Sequence, residues 1–116
     1  MGYDLHITRA GNWLDAQAQP IGRDEWNSYA GQHAALVEAG WTDWADVGRQ
    51  PVYELTGRDE EGPALGWHRG EVNVSGETIE YLPELVAIAA DLHANVVGDD
   101  GENYTAEGPV GVIADI

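Results

Sequence analysis

Tyr3, Leu5 and Ile7 alternate with Asp4, His6 and Thr8, which is the two-residue period of a strand with one buried face. The period then changes. After a loop over residues 11–22 anchored by Trp13 and Leu14, the positions Trp26, Tyr29, His33, Leu36 and Val37 fall on one helical stripe. This predicts a helix over residues 23–39, with Asp24 and Glu25 in the first turn, where the dipole favours them, and Gly40 as its stop. Residues 41–51 read as a loop carrying Trp41 and Trp44, followed by a strand over 52–56, an acidic turn over 58–63 and a further strand over 64–68.

Arg69-Gly70 has the form of a two-residue hairpin loop. Counting outward from it, His68 faces Glu71, Trp67 faces Val72, Gly66 faces Asn73 and Leu65 faces Val74. Apolar meets apolar and polar meets polar, and a slip of one residue would turn every side chain to the other face. A second helix is expected over residues 78–95, with Pro83 in its first turn and Leu85, Ile88, Ala89 and Leu92 on one side. A short strand over 95–97, a tight turn over 98–101 and a Gly/Pro-broken tail over 106–116 complete the pattern.

The element order β-α-β-β-β-α-β predicts an α+β domain over residues 1–116. Two amphipathic helices would cover one face of a four- to five-stranded, mostly antiparallel sheet. Its other face would carry Asp4, His6, Thr8, His68, Glu71 and Asn73, a polar platform suited to recognition.

Charge changes the picture. The chain has 21 acidic residues against five arginines and no lysine, a formal net charge of −16. Up to Arg58 there are eight acids and four arginines; from Asp59 onward there are thirteen acids and only Arg69. Such a field attracts cationic surfaces and repels phosphate, so direct nucleic-acid binding is not expected. Salt adaptation or a GC-rich genome would also give acid-rich, lysine-free composition, but neither accounts for the asymmetry between halves. With no cysteine, disulfides, zinc-thiolate sites and thiol catalysis are excluded. The opening MGYDLHITRA lacks a signal-peptide pattern and no long apolar run occurs, so a cytoplasmic location without membrane attachment is expected.

Catalytic signals are weak. His6, His68 and His93, with Asp4, Glu71, Asp99 and Asp100, supply the candidates for metal or acid/base chemistry, and His6 and His68 are the ones a shared sheet face brings near carboxylates. Their spacing matches no metal motif. Neither Ser28 nor Ser75 lies in a nucleophile elbow, and the glycines at 98 and 101 bracket two aspartates that would repel a phosphate. No enzymatic activity and no cofactor are therefore expected.

Three blocks, YDLHITRA with Trp13, PIGRDEW and VGDDGENY, resemble a family of small bacterial proteins that share such an opening and a G-D-D-G-E-x-Y ending. The resemblance covers a minority of the chain and carries no catalytic residue. Family members have no assigned enzymatic activity, and in size and occurrence they are similar to immunity proteins of polymorphic toxin systems. The expectation is an immunity or antitoxin-type protein that neutralises a basic protein, such as a cationic toxin domain. Its contacts would come from Asp59, Glu60, Glu61, Glu71, Asp99, Asp100 and Glu102, with Trp41 and Trp44 as aromatic anchors. The alternative is a small metal- or ligand-binding domain or enzyme using the His6/His68 face.

Overall fold

The computed structural model describes residues 4–10, 18–57, 62–76, 79–99, 102–105 and 108–111. Among them the elements are β1 (Leu5–Thr8), α1 (Arg23–Gln32), β2 (Leu36–Trp44), β3 (Gly48–Leu55), β4 (Ala64–His68), β5 (Glu71–Ser75), α2 (Leu82–Asp91, entered through a 3₁₀ turn Ile79–Tyr81), β6 (Asn95–Gly98), β7 (Asn103–Thr105) and β8 (Gly108–Gly111). The strands form one sheet in the order β2-β3-β4-β5-β1-β6-β7-β8, with every neighbouring pair antiparallel. The fold is α+β as the pattern predicts, but the sheet has eight strands rather than four or five. No helix among the described residues is long and apolar enough to cross a membrane.

The additional strands replace expected helix, loop and tail. Helix α1 stops at Gln32, and His33 already has extended dihedrals, φ −87° and ψ 124°. Residues 36–44 become β2 because Leu36 buries against Leu55 and the segment pairs with β3 as far as Trp44↔Gly48. A hairpin of that length outweighs helix preferences, which differ by only about 0–0.7 kcal/mol per residue. Gly40, expected as a helix stop, instead sits at φ 144° beside the register shift between Glu38 and Gly40, a bulge that glycine accommodates. The expected loop over 41–51 is thus two strand ends and a short turn.

The β4–β5 hairpin has the predicted register, from His68↔Glu71 to Leu65↔Val74. Arg69 at φ 54° and Gly70 at φ 86° give it the doubly positive turn that matches strand twist. Following the register across the sheet puts Leu5, Ile7, Val72, Val74, Leu65, Tyr53, Leu55, Leu36 and Val96 on one face. Trp26 and Ala30 of α1 and Leu82, Leu85, Ile88 and Ala89 of α2 close over that face in one core. Trp26 meets Tyr53 edge-on, with centroids 6.0 Å apart.

Arg9 fixes the helices to each other. Its Nε donates to Leu92 O at the end of α2 (2.9 Å), its Nη1 to Pro20 O (3.0 Å), and its Nη2 to Glu25 in the first turn of α1. Beyond Leu92, α2 ends with His93 N–H donating to Ala90 O and Ala94 N–H to Ala89 O. His93 occupies the left-handed position of this cap at φ 58°.

Candidate functional site

Both helices lie on one side of the sheet, and on the other side His6, Thr8, Gln50, Glu71 and Val97 are buried as well. The same register that buries Leu5, Val74 and Leu65 aligns His6, Asn73, Gly66 and Val52 on the open face. Gly66, on β4, has no side chain, and its flanking partners are Val52 on one side and Asn73 on the other. A cleft of about 240 Å³ forms over this gap. Its walls include Thr42 and Trp44 from β2, Gln50 from β3, Asn73 and Ser75 from β5, and Asp4 just before β1.

The walls combine polar side chains with the Trp44 indole. Gln50 is only 2% exposed, its Nε2 donates to Val47 O (3.4 Å), and its Oε1 is enclosed with no partner among the described residues. The amide is oriented by that bond, since turning it would set two oxygens against each other. Asn73 Oδ1 is likewise enclosed with no partner among the described residues. Buried acceptors without partners cost about 1–3 kcal/mol each. Sequence reasoning missed Gln50, which it placed in a loop; the alternation of Gln50 with Val52 was the available signal.

Beside the cleft lies a stacked cluster. The Trp44 indole and the His68 ring are 3.6 Å apart and nearly parallel, at 9°. His68 Nε2 lies 3.1 Å from Asp46 Oδ1, and Arg69 Nε donates to Asp46 Oδ2 at 2.6 Å. The Arg69 guanidinium, and then His68, hold the Asp46 carboxyl down at about 2. Trp41 does not join this cluster. In a strand, residues three apart point to opposite faces. Trp41 therefore stands on the helix side, 58% exposed, with the Arg49 guanidinium 4.5 Å from its ring centroid.

His6 organises the opposite end of the face. It is 5% exposed; its Nδ1 lies 2.9 Å from Glu71 Oε2 and its Nε2 2.7 Å from Asp99 Oδ1. A ring flanked by two carboxylates satisfies both only when both nitrogens carry protons. Burial alone pushes the imidazole pKa down, but the hydrogen bonds to Glu71 and then Asp99 override it and leave the value raised above 6.5. Asp99 also accepts the Asp4 backbone N–H through Oδ2 at 3.1 Å, so the turn after β6 is tied to the start of β1.

The acids expected to dock a partner are thus distributed unevenly. Glu71 is 7% exposed and bound to His6, which makes it an interior group rather than a surface charge. Asp99 is exposed but engaged with His6. Glu102 is partly buried and accepts the Tyr104 hydroxyl at 3.1 Å. Asp59, Glu60, Glu61 and Asp100 lie outside the described residues, as do the loop anchors Trp13 and Leu14. His6 and His68, the two histidines considered for metal, take different carboxylates. Among the described residues no group of three or more His, Asp or Glu side chains is arranged to hold a metal ion.

All four described arginines are in ion pairs: Arg9 with Glu25, Arg23 with Asp24, Arg49 with Asp43 and Arg69 with Asp46. Asp4, Glu38, Glu54 and Glu80 have no cationic partner among the described residues. The chain matches no protein family, no curated protein and no solved structure.

Proposed function

We propose that this chain is a docking module that binds a basic protein and obstructs its working surface, as an immunity or antitoxin protein does with a cationic toxin domain. The observation that carries this reading is the unopposed negative field. The net charge is −16, and every described arginine is already committed to a carboxylate of the same chain. A field of that sign speeds encounter with a cationic partner, to on the order of 10⁸–10⁹ M⁻¹s⁻¹ at low salt. The sheet face opposite the helices then offers Trp44 as an aromatic wall for close contact.

The test is capture from the native cell or co-expression with the product of the adjacent gene, followed by calorimetry on the purified pair. The partner should be basic. Affinity should fall at least about tenfold when salt rises across the range where surface charges become screened, and it should fall again on replacing Asp59, Glu60 and Glu61 by their amides. A neutral or acidic partner, or an affinity indifferent to both changes, refutes the proposal.

A second reading, a small ligand-binding domain or enzyme on the His6/His68 face, draws support from the cleft on that same face. It expects a small molecule to occupy the cleft with no protein partner, and the nature of the captured species separates the two.

A further inference from the structure

We infer that the outer edge of β2 takes an extended basic segment of the partner as an added strand, held between Glu38 and Asp43 with Trp41 at its centre. This rests on the docking reading and deepens it, naming the surface and the form of its ligand.

The backbone of that edge is open. β2 ends the sheet and runs for 9 residues, whereas β8 at the opposite end has 4 and includes Pro109, which cannot donate. Thr56 N–H donates to Ala35 O and Leu55 N–H to Pro63 O, so Thr56 turns its backbone toward β2 and Leu55 away from it. Alternation then turns Glu54, Val52 and Gln50 toward β2, where they meet Val37, Gly40 and Thr42. The N–H and C=O of Glu38, before the bulge, and of Trp41 and Asp43, after it, are left pointing outward. Neither Trp41 nor Asp43 has a backbone partner beyond the sheet among the described residues. Pro51, opposite Trp41, lies where β3 turns away from β2, so its missing N–H takes nothing from the hairpin.

The side chains along the edge form a row. Glu38, Trp41 and Asp43 pair with Tyr53, Pro51 and Arg49, alternate residues of β3, so the bulge brings all three onto one face. All three are exposed, Trp41 by 58%. Acid, aromatic, acid is complemented by a strand presenting cation, apolar, cation at alternate positions, because cross-strand neighbours of opposite charge and aromatic–aliphatic neighbours stabilise a sheet.

Charge decides the occupant. Glu38 has no cationic partner among the described residues. Asp43 meets Arg49 at 3.1 Å, but both side chains are more than half exposed, and such a pair holds little. The Arg49 guanidinium also lies 4.5 Å from the Trp41 centroid, so the indole already accepts a cation at its face. A second copy would bring the same acidic row, within a net charge of −16 on each side, against itself. The acids that close the edge to a copy are the ones that open it to a basic strand.

The test is amide NMR on the full ¹⁵N-labelled chain with two peptides, acetyl-TKTVTKT-amide and acetyl-TETVTET-amide. The basic peptide should give saturable shifts concentrated on residues 37–44 and the Trp41 indole N–H. It should also slow hydrogen exchange at the Trp41 and Asp43 amides at least about tenfold. The acidic peptide should do neither. The basic peptide N-methylated along its backbone keeps its charge and should lose the exchange protection, which separates strand addition from simple ion pairing. Asp43→Pro removes an outward N–H and should abolish protection at Trp41; Trp41→Ala and Glu38→Gln/Asp43→Asn, at exposed positions, should weaken binding several-fold even if Asp43→Pro fails to fold. Shifts dispersed over acids elsewhere, absent protection, an equal response to the acidic or N-methylated peptide, or undiminished binding by the folded variants overturns the inference. So does a dimer at high salt in which the same amides become protected, which would assign the edge to a second copy. A captured basic partner that binds Trp41→Ala and Glu38→Gln/Asp43→Asn undiminished overturns the edge and leaves the docking reading standing; protection by the basic peptide in a chain that captures no basic partner overturns that reading instead.

Discussion

Replacing His6 by leucine removes the one donor between two carboxylates, and the cost can be worked from their burial. The Glu71 side chain is 10% exposed and its Oε1 already lacks a partner among the described residues, so losing the Oε2 contact strands a buried charge. Breaking a buried pair this way costs about 3–5 kcal/mol. The Asp99 side chain is 38% exposed and water can take over its half of the bridge, which places the expected loss near the lower figure, about 3 kcal/mol. With a urea slope of about 1.5 kcal/mol/M, the unfolding midpoint should drop by about 2 M. A native stability of about 5–15 kcal/mol leaves the variant folded. The double variant His6→Leu/Glu71→Leu removes the stranded charge as well and should recover most of the loss, since an apolar pair can replace a buried ionic one at little cost. Five tryptophans give the fluorescence signal for urea titrations at about pH 6, below the ordinary imidazole value of 6.5. The pH dependence has a definite sign. Because the folded pKa of His6 is raised, its contribution is fully present below the unfolded value of 6.5 and is lost as pH rises through the folded one. Wild type should therefore lose stability upward from about pH 6.5, and His6→Leu should lack that slope. A single variant within about 1 kcal/mol of wild type, or a double variant no more stable than the single, would falsify the account.

Two further changes probe the frame. Arg9→Lys should cost about 2 kcal/mol, because one ammonium cannot serve Leu92 O, Pro20 O and Glu25 together; the melting temperature should fall by about 10 °C, and a fall of under about 3 °C counts against the clamp. His93→Gly should raise stability by about 1 kcal/mol by relieving a side chain at φ 58°, an increase of about 5 °C in the same assay, whereas His93→Ala should give no such gain.

The parts of the fold readable from sequence are those where one local rule has no rival. A two-residue loop fixes register, so every pair from His68↔Glu71 to Leu65↔Val74 follows from Arg69-Gly70 alone. Alternation in β1 gives its faces, and Leu85, Ile88 and Ala89 give the buried side of α2. The segment from Ala34 to Trp44 fails because its residues suit helix and strand alike over a short run, and only pairing with β3 decides. For the site, the shared face of His6 and Glu71 was legible, whereas the approach of Asp99 was not. It depends on β6 lying beside β1, a matter of strand order rather than of local pattern. The cleft was hidden for the same reason: Gln50 and Asn73 are 23 positions apart and meet only across three adjacent strands.

Strand order also divides the acidity by cause. β2 is an edge strand, with Val37 and Trp41 exposed along it, and an exposed apolar edge invites pairing with another chain. The same strand carries exposed Glu38 and Asp43 and a bulge at Gly40, and charges and bulges are what keep such an edge from extending. Glu71 and Asp99 hold His6, while Glu25, Asp24, Asp43 and Asp46 neutralise arginines. These acids have local tasks, so their number is no measure of the strength of docking. On the proposed docking reading, net charge would set how fast a cationic partner arrives rather than how tightly it is held. A partner selected by charge alone would tolerate lysine for arginine everywhere.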